Sequence, residues 1–460
     1  MQANPIFDAD LIRRYDKAGP RYTSYPTAVQ FHAGFNEAQY REQADVSNAR
    51  GGPLSLYFHI PFCDTVCFYC ACNKVATKDR SKAQPYLEDV YREMALQSAL
   101  FDDGRPVEQL HWGGGTPTFL SLDQMRELMT RTGEHFQLKT DDTGEYSIEI
   151  DPREANPATV ALLRELGFNR MSLGVQDFDP RVQKAVNRIQ SEEETLAVLQ
   201  AARAEGFHGI SIDLIYGLPF QTVDGFLRTL DRVIEASPDR LSVFNYAHLP
   251  TRFMPQRRIS EEDLPTPAEK LSILEATIHH LTGAGYVLIG MDHFAKPDDP
   301  LARAQREGSL YRNFQGYATH AECDLIAMGV SAISQVGDSF SQNVKDIDTY
   351  HRILADGRLP LERGFVVNED DKLRRAVITE LICHFELDGD RIGARFGIDF
   401  EDYFADELEN LEPFIDDGLL SVEGSQIRVL PVGRLMIRNI CMTFDRYLDT
   451  TGERRFSRTL

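Results

Sequence analysis

Long apolar runs and basic charge are both scarce in this chain of 460 residues. No apolar run approaches the about 18 residues that a membrane-spanning helix needs, and residues 1–19 are polar and charged where a signal peptide would be apolar. The 49 Lys and Arg against 71 Asp and Glu leave a net charge of −22, which nucleic acid and anionic membrane surfaces would repel. We therefore expect a cytoplasmic protein with neither nucleic acid nor a membrane as its partner.

The cysteines are too few for a disulfide framework, since the whole chain has seven. Four of them lie within ten residues: Cys63, Cys67, Cys70 and Cys72. In a reducing compartment such a group indicates metal binding or redox chemistry. Structural zinc usually takes two separated pairs of ligands, and no second cysteine pair occurs elsewhere. A thioredoxin-type site would use Cys67 and Cys70 alone, which leaves Cys63 unexplained.

A cluster of four irons fits this spacing better. Cys63, Cys67 and Cys70 form a Cys-x3-Cys-x2-Cys pattern, in which three thiolates each take one iron and the fourth iron stays open for an outside ligand. Catalytic zinc follows the same logic of three protein ligands and one vacancy, whereas electron-transfer clusters usually have four cysteine ligands. Cys72 follows Cys70 too closely to be an easy fourth ligand. We expect Cys72 not to bind the cluster, and a zinc site remains the alternative.

Short apolar runs alternate with helical patterns between about residues 54 and 293. The candidate strands are Leu54–Ile60, Val107–Trp112, Glu145–Ile150, Arg170–Val175, Gly209–Ile215, Arg240–Tyr246 and Tyr286–Met291. Ser121 with Gln124, and Ser191 with Glu194, have the spacing of capping boxes at helix starts. Repeated strand–helix units predict an α/β fold with a parallel sheet. Six or seven units favour a partial (β/α)6-type barrel, and an open doubly wound sheet is the alternative.

Polar or glycine-rich clusters recur at the carboxyl ends of these strands, where barrels and open α/β sheets bind ligands. The cysteine loop follows the first strand and Gly113–Thr118 the second. The clusters at the later strands are Glu149 with Asp151, Gln176 with Asp177, Asp213, and Ala247 with His248. This recurrence predicts a ligand site on one edge of the sheet.

Three domains are predicted along the chain: an N-terminal arm at 1–53, the barrel and its extension at 54–365, and a C-terminal helical domain at 366–460. The last has candidate helices at Leu373–Phe385, Arg391–Phe396, Phe400–Phe414 and Arg434–Tyr447, with short apolar runs at Leu419–Val422 and Ile427–Leu430. This pattern is typical of a small winged-helix-like domain. DNA binding is not expected there, because Glu386–Asp417 has twelve acidic residues against two basic ones.

The cysteine spacing, with Tyr69 directly before the third cysteine, resembles the radical S-adenosylmethionine (SAM) superfamily. The resemblance implies a [4Fe-4S] cluster whose open iron binds the amino and carboxylate groups of SAM. An electron from the cluster would then cleave SAM to methionine and a 5′-deoxyadenosyl radical. The superfamily's glycine motif corresponds to Gly113–Gly115, where missing side chains would let the backbone approach the methionine part of SAM.

Further motifs narrow the resemblance and extend it over nearly the whole chain. They are the arm Pro20–Thr27, Tyr57–Cys63, Cys72, His111–Thr118, Ile150–Glu154, Gly174–Phe178, Asp213–Pro219, Asn313–Tyr317 and Gly433–Cys441. Together they resemble the family of oxygen-independent coproporphyrinogen III oxidases. The resemblance implies oxidative decarboxylation of two propionates of coproporphyrinogen III to vinyls, giving protoporphyrinogen IX in haem synthesis. It also implies an electron donor such as a flavodoxin-type protein and an outside electron acceptor, and nothing demands more than a monomer.

The resemblance also assigns residues. Those expected to contact the cluster-bound SAM are Tyr57, Gly114, Glu149 and Ile333. Those expected at a second SAM molecule are Tyr69, Gly115, Thr116, Gln176, Arg188, Asp213 and Ala247, with Phe314 and Gln315 close by. Asp213 suits ribose hydroxyls and Arg188 a carboxylate, while Arg21 is expected to pair with a substrate propionate. The competing functions are a haem-binding chaperone that shares the radical SAM core, a SAM-cleaving methyltransferase, and a zinc protein without catalytic activity.

Overall fold

The computed structural model describes residues 5–448, and these form two compact units. The first, here called the sheet unit, consists of residues 31–270 and 322–366. The second, here called the composite unit, consists within the described range of residues 5–30, 271–321 and 367–448. The domain boundaries predicted at residues 53 and 365 stay predictions.

The described residues form twenty β-strands. They are β1 Leu54–Ile60, β2 Phe62–Cys63, β3 Val75–Ala76, β4 Pro106–Gly114, β5 Gln137–Leu138, β6 Glu145–Ile150, β7 Arg170–Gln176, β8 Gly209–Tyr216, β9 Arg240–Asn245, β10 Val287–Gly290, β11 His293–Ala295, β12 Tyr311–Asn313, β13 Gly316–Ala318, β14 Asp324–Met328, β15 Ile333–Val336, β16 Ser339–Asn343, β17 Leu361–Val366, β18 Glu386–Asp388, β19 Leu420–Glu423 and β20 Gln426–Val429.

The described residues also form seventeen α-helices. They are α1 Ala9–Tyr15, α2 Glu37–Arg50, α3 Ala83–Ser98, α4 Leu122–His135, α5 Pro157–Glu165, α6 Pro180–Ala185, α7 Glu192–Ala204, α8 Val223–Ala236, α9 Pro267–Gly283, α10 Pro300–Glu307, α11 Ile347–Ala355, α12 Glu369–His384, α13 Gly389–Phe396, α14 Phe400–Tyr403, α15 Ala405–Glu409, α16 Glu412–Asp416 and α17 Ile437–Met442. None of the helices in the described range has the length and hydrophobicity needed to cross a membrane.

One large sheet organises the sheet unit, in the order β9-β8-β7-β6-β4-β1-β14-β15-β16-β17. The strands from β9 to β14 are parallel, and β15, β16 and β17 continue the sheet antiparallel. Within residues 31–270 and 322–366, no recorded pairing joins β9 to β17. The predicted α/β fold with a central parallel sheet is therefore confirmed, and the barrel is open.

Helices follow most of the parallel strands and cover the sheet, which is the usual arrangement for strands joined by crossover connections. The predicted capping boxes are present. The side chains of Ser121 and Ser191 each accept the amide hydrogen of the third helical residue, and that residue's side chain accepts the amide hydrogen of the serine. These caps satisfy amides that a helix start otherwise leaves unpaired.

Six of the predicted strands occupy their expected places as β1, β4, β6, β7, β8 and β9. The prediction for Tyr286–Met291 as a further parallel unit is wrong. Its core forms β10, which pairs antiparallel with β11 across a two-residue connection, and a connection that short can join only antiparallel strands. The seventh parallel strand is instead β14, which the sequence analysis does not include.

The C-terminal part of the composite unit combines helices with a three-stranded sheet of order β18-β20-β19. Its first helices and its strand pair lie close to their predicted positions. The single helix predicted at Phe400–Phe414 is wrong, because three short helices occupy that stretch and Pro413 stands in the first turn of the last. The helix predicted at Arg434–Tyr447 is shorter, a 3-10 turn at Gly433–Met436 followed by α17.

Candidate active site

The cysteine loop begins directly after β1 and is closed at its base by backbone pairing. β2 and β3 run parallel at the start and end of the loop. The amide of Val75 donates to the carbonyl of Pro61 at 2.6 Å, and that of Thr77 to the carbonyl of Cys63 at 2.8 Å. The loop therefore leaves and returns at the carboxyl end of a central parallel strand, which is the predicted edge of the sheet.

The four cysteines of the loop differ in exposure. Cys67 is buried, Cys63 and Cys70 are half-buried, and Cys72 is exposed. Burial, together with the charges of Cys70 and Cys67, raises the pKa of the Cys63 thiol to about 12. The negative charges of Cys70 and Cys67 thus act on Cys63, and a cationic metal would relieve that repulsion. The three predicted ligands therefore belong to one loop and interact electrostatically, and their role as ligands stays a prediction.

Two arginines point at the sulfur of Cys67. Arg188 Nη1 lies 3.6 Å and Arg153 Nη2 3.8 Å from Cys67 Sγ. Both guanidinium groups also donate to Asp151 Oδ2, at 3.1 and 2.6 Å. Burial would raise the pKa of Asp151, but the two arginines hold it below its usual value. Asp151 thus stays ionised and keeps both donors aimed at the thiolate.

The middle of the loop is held from the stretch that follows α6. The amide of Phe68 donates to the carbonyl of Val186, and the Asn187 side chain donates to the carbonyl of Val66, each at 2.9 Å. The rings of Phe68 and Tyr69 pack against a buried apolar group. Its members are Val182, Val186, Leu218, Tyr246 and Ile259. Contacts within the sheet unit therefore hold the middle of the loop in place.

The glycine run after β4 lies directly against the start of this loop. A Cβ atom on Gly115 would meet the carbonyl oxygen of Phe62 at 2.6 Å and its nitrogen at 2.9 Å. The amide of Gly115 donates to the carbonyl of Ile60, and that of Thr116 to the carbonyl of Phe62, both at 2.8 Å. Gly114 has φ +117°, which residues with side chains rarely adopt. The glycines thus allow the backbone after β4 to pack directly against the backbone at the start of the cysteine loop.

Glu149 lies near the end of β6, and its side chain is 47% exposed although β6 is central in the sheet. Its carboxylate is therefore accessible at the carboxyl edge of the sheet, and that edge is here called the cleft. Its Oε2 accepts the amide hydrogen of Gly114 at 3.1 Å, and its Oε1 lies 3.5 Å from His111 Nε2. Burial would raise the pKa of Glu149, but these two partners bring it below its usual value. An ionised carboxylate therefore faces the cleft.

His59 connects β1 to the returning end of the cysteine loop. Its Nε2 lies 2.9 Å from the carbonyl of Asn73, which can only accept, so Nε2 carries the proton. Burial lowers the pKa of His59, and the neutral ring then accepts the Tyr57 hydroxyl at Nδ1, at 3.0 Å. The Tyr57 ring stacks on His111 with 5.8 Å between ring centroids. Tyr57 is thereby oriented beside Glu149.

Unpaired acceptors mark the ends of two more strands. Gln176 Oε1, at the end of β7, and Asn245 Oδ1, at the end of β9, are both buried and lack a hydrogen-bond partner. Between them, Asp213 in β8 accepts the Ser172 hydroxyl at 2.8 Å, and burial raises the pKa of Asp213 to about 6. Buried acceptors without partners are uncommon in proteins. A ligand with hydroxyl or amino hydrogens could donate hydrogen bonds to these unpaired acceptors.

The remaining predicted residues divide between the two units. In the sheet unit, Thr116 is buried beside Thr118, Ala247 is exposed just after β9, and Ile333 begins β15. Phe314 and Gln315 form the turn between β12 and β13 of the composite unit. The other cofactor residues of the prediction thus lie on the carboxyl edge of one sheet. The roles of Arg153, His59 and Asn245 were not predicted from the sequence, although the motifs Ile150–Glu154 and Tyr57–Cys63 contain the first two.

The turn between β14 and β15, just before Ile333, is hydrogen-bonded to the buried carboxyl group of Glu93. Glu93 in α3 is 0% exposed and accepts the amide of Gly329 at 2.8 Å and the side-chain amide of Asn343 at 2.7 Å. It also accepts the hydroxyl of Tyr350. This network orients one edge of the cleft.

The stability of the protein should depend on pH through Glu93, because burial raises its pKa to about 7 from 4.5. Between these values the folded chain retains a proton that the unfolded chain has lost, so stability falls as pH rises. The fall amounts to about 3 kcal/mol, at 1.36 kcal/mol per pKa unit. Glu93→Gln cannot titrate. Urea unfolding from pH 4.5 to 7.5 should show wild type losing this much relative to Glu93→Gln, and parallel profiles would contradict the prediction.

Comparisons with known proteins agree with this geometry. Residues 57–233 match the Radical SAM superfamily and residues 367–436 the HemN C-terminal domain. The oxygen-independent coproporphyrinogen III oxidase of Pseudomonas aeruginosa is 58% identical, over 99% of each chain. The enzyme of the same name from Escherichia coli is 50% identical, over 99% of this chain and 98% of the other.

A solved structure of the Escherichia coli protein, described as coproporphyrinogen III oxidase (HemN) and a radical SAM enzyme, superposes with a TM-score of 0.92. It covers 97% of this chain and 100% of that one, at 50% identity. The similarity thus extends over nearly the whole length of the chain. The chain therefore belongs to the oxygen-independent coproporphyrinogen III oxidase family of the radical SAM superfamily.

Proposed function

We propose that this protein decarboxylates two propionates of coproporphyrinogen III to vinyls without oxygen, giving protoporphyrinogen IX in haem biosynthesis. The observation that carries the proposal is the three-cysteine loop at the carboxyl edge of the sheet, in a chain of the oxidase family. Each vinyl forms when a hydrogen atom leaves the carbon β to the carboxylate, carbon dioxide is lost, and one electron passes to an outside acceptor.

The residues of the loop fit a [4Fe-4S] cluster. Cys63, Cys67 and Cys70 would be the ligands, because soft thiolates are the donors that iron–sulfur clusters take. With SAM bound, the cluster supplies the radical that takes the hydrogen atom, and chemistry of this kind belongs to the cofactor. The protein holds Cys67 between Arg188 and Arg153, and hydrogen bonds to ligand sulfurs tune such clusters.

The cleft residues are proposed to bind one or two molecules of SAM. Tyr57, Gly114, Glu149 and Ile333 would contact the molecule on the cluster. Glu149 supports this role because its ionised carboxylate faces the cleft and suits the ammonium group of SAM. The orientation of Tyr57 through His59 keeps its ring beside that carboxylate.

For a second molecule we propose the set Tyr69, Gly115, Thr116, Gln176, Arg188, Asp213 and Ala247, all in the sheet unit. The unpaired Gln176 Oε1 and the carboxylate of Asp213 offer acceptors for ribose hydroxyls. Arg188 already uses Nη1 and Nη2 on Asp151, Cys67 and the carbonyl of Gly174. Its buried Nε has no partner, so that atom is the one that would meet a cofactor carboxylate.

Substrate and redox partners complete the proposal. Arg21 would pair with a substrate propionate, since guanidinium groups match carboxylates. A flavodoxin-type protein would donate the electron to the cluster, a separate acceptor would take the electron from substrate, and the protein would act as a monomer. A chain of net charge −22 needs local arginines to hold an anionic substrate.

The test is an anaerobic incubation of reconstituted protein with coproporphyrinogen III, SAM and a reductant, followed by mass spectrometry of the porphyrins. We expect successive loss of two carboxyl groups. SAM cleavage without decarboxylation would overturn the proposed substrate while leaving a radical SAM enzyme. Tight haem binding together with that result would favour the haem-binding chaperone.

A further inference from the structure

Three arginines of the composite unit come from distant parts of the chain and lie together. Arg21 belongs to the N-terminal arm, Arg312 to β12 and Arg438 to α17. Arg312 and Arg438 are 6% and 5% exposed, whereas the side chain of Arg21 is 33% exposed. Arginine is almost never this deeply buried without a partner for its charge. The group therefore needs an explanation beyond packing.

Part of the explanation is attachment of the arm. Arg438 Nε donates to the carbonyl of Pro20 at 2.9 Å, and its Nη2 donates to the carbonyl of Gly19. Arg312 Nε lies 3.3 Å from the carbonyl of Arg21. Tyr22 has φ +47°, a strained value for a tyrosine, and its hydroxyl donates to Asp445 at 3.0 Å. These contacts hold the backbone on both sides of Arg21.

Attachment of the N-terminal arm does not account for all of the positive charge of the three arginines. Burial and the positive charges of Arg21 and Arg312 together lower the pKa of Arg438 to about 10, while the charge of Asp292 opposes them. Asp292 is also bound by Arg21. Arg312 uses Nε on the arm and places its guanidinium 4.6 Å from the centre of the Tyr317 ring. Its Nη1 is buried and has no hydrogen-bond partner.

An unpartnered, buried guanidinium nitrogen beside two further arginines is suited to an anion. The salt bridge of Arg21 with Asp292 shows that this group already accepts a carboxylate, and the planar fork of arginine matches carboxylates with paired hydrogen bonds. An anionic ligand would satisfy Nη1 and reduce the repulsion among the arginines.

We propose that Arg312, together with Arg21 and Arg438, forms a binding site for a carboxylate, and that this carboxylate is a propionate of the substrate. The assignment rests on the proposed function, under which the substrate has four propionates and the enzyme converts two. The two that stay unconverted remain available as anchors through both reactions. The arginine group therefore binds a propionate that does not react.

The test measures binding of coproporphyrin III to the anaerobic, cluster-loaded enzyme through porphyrin fluorescence, with coproporphyrin III tetramethyl ester as the uncharged counterpart. Arg312→Gln should weaken binding of the acid about ten- to hundredfold, the effect of losing a hydrogen bond between charged groups. Binding of the ester should not change. Arg306→Gln is the matched control, because Arg306 lies in α10 of the same unit and caps the carbonyl of Pro297 at the surface.

Steady-state kinetics give a second measure. The KM for coproporphyrinogen III should rise in Arg312→Gln by the same factor while kcat changes less than threefold. Unchanged affinity for the acid, or equal losses for acid and ester, would overturn the site. If Arg312→Gln does not fold, Arg21→Gln undergoes the same comparison, and an unchanged affinity there is equally decisive. If wild type decarboxylates the substrate and the arginine variants bind it equally well, this site is refuted and the proposed function stands. If the variants bind coproporphyrin III more weakly but wild type does not decarboxylate coproporphyrinogen III, the proposed function is refuted and the binding site stands.

Discussion

Cys67→Ala is expected to abolish decarboxylation of coproporphyrinogen III and to remove most of the bound iron. Two thiolates in one loop cannot hold a cluster that needs three ligands, and Cys67 is the buried one, with two guanidinium groups directed at its sulfur. The fold should survive, because Arg188 and Arg153 keep their bonds to Asp151 when the sulfur is gone. Iron analysis, the absorption spectrum and turnover measure the effect, and circular dichroism checks the fold.

Cys72→Ala is the matched control. Cys72 is a cysteine of the same loop but lies exposed, so its loss should leave iron content within about a tenth of wild type and the cluster spectrum unchanged. Cysteine is a weak hydrogen-bond donor, and the Cys72 contact that lowers the pKa of Cys70 to about 6 should matter little once iron is bound. Turnover by Cys67→Ala, or loss of iron from Cys72→Ala, would refute the assignment of ligands.

Gly115→Ala should be the most damaging single-methyl change in the cleft. The new Cβ would lie 2.6 Å from the carbonyl oxygen of Phe62, and backbone cannot move aside as a flexible side chain can. Separating the two loops would break the bonds from Gly115 to Ile60 and from Thr116 to Phe62, each worth about 1 kcal/mol. Overpacking adds about 1–3 kcal/mol. We expect a loss of about 3–5 kcal/mol in unfolding free energy, measured with urea, and severely reduced cluster binding.

Gly283→Ala provides the comparison. Gly283 ends α9, and a Cβ there would meet nothing within 4 Å. Alanine is a better helix former than glycine by about 1 kcal/mol, so this variant should be as stable as wild type or slightly more so, with full iron content. If Gly115→Ala were equally stable and fully loaded, the close approach of the two loops would not be needed for the site.

Most of the sheet could be predicted because its strands are short apolar runs separated by clear helix caps. Leu54–Ile60 and Glu145–Ile150 match residue for residue. The prediction failed at β10, since an apolar run does not reveal which direction its partner takes, and at β14, whose Asp324–Met328 is too short to stand out. The helix expected at Phe400–Phe414 was broken by turns that local pattern does not record.

The candidate site was predictable where its residues are neighbours in sequence and not where folding brings them together. The spacing of Cys63, Cys67 and Cys70 carried the cluster prediction by itself. The convergence of Arg153 and Arg188 on one sulfur joins residues 86 and 121 positions away, and no periodicity encodes such a distance. The orphaned nitrogen of Arg312 is likewise a property of tertiary packing.

The division of the chain into two units has a consequence for synthesis on the ribosome. The chain passes between the units four times, after Gln30, Lys270, Ala321 and Val366. The arm emerges first, but its anchor Arg438 follows 418 residues after Pro20. At a synthesis rate of about 5–20 residues per second, Arg438 is added roughly 20–80 s after Pro20. The sheet unit can complete its own strands before that moment, whereas the composite unit folds only as the last residues appear. A fragment that begins at residue 367 would therefore lack two of the three segments of its unit.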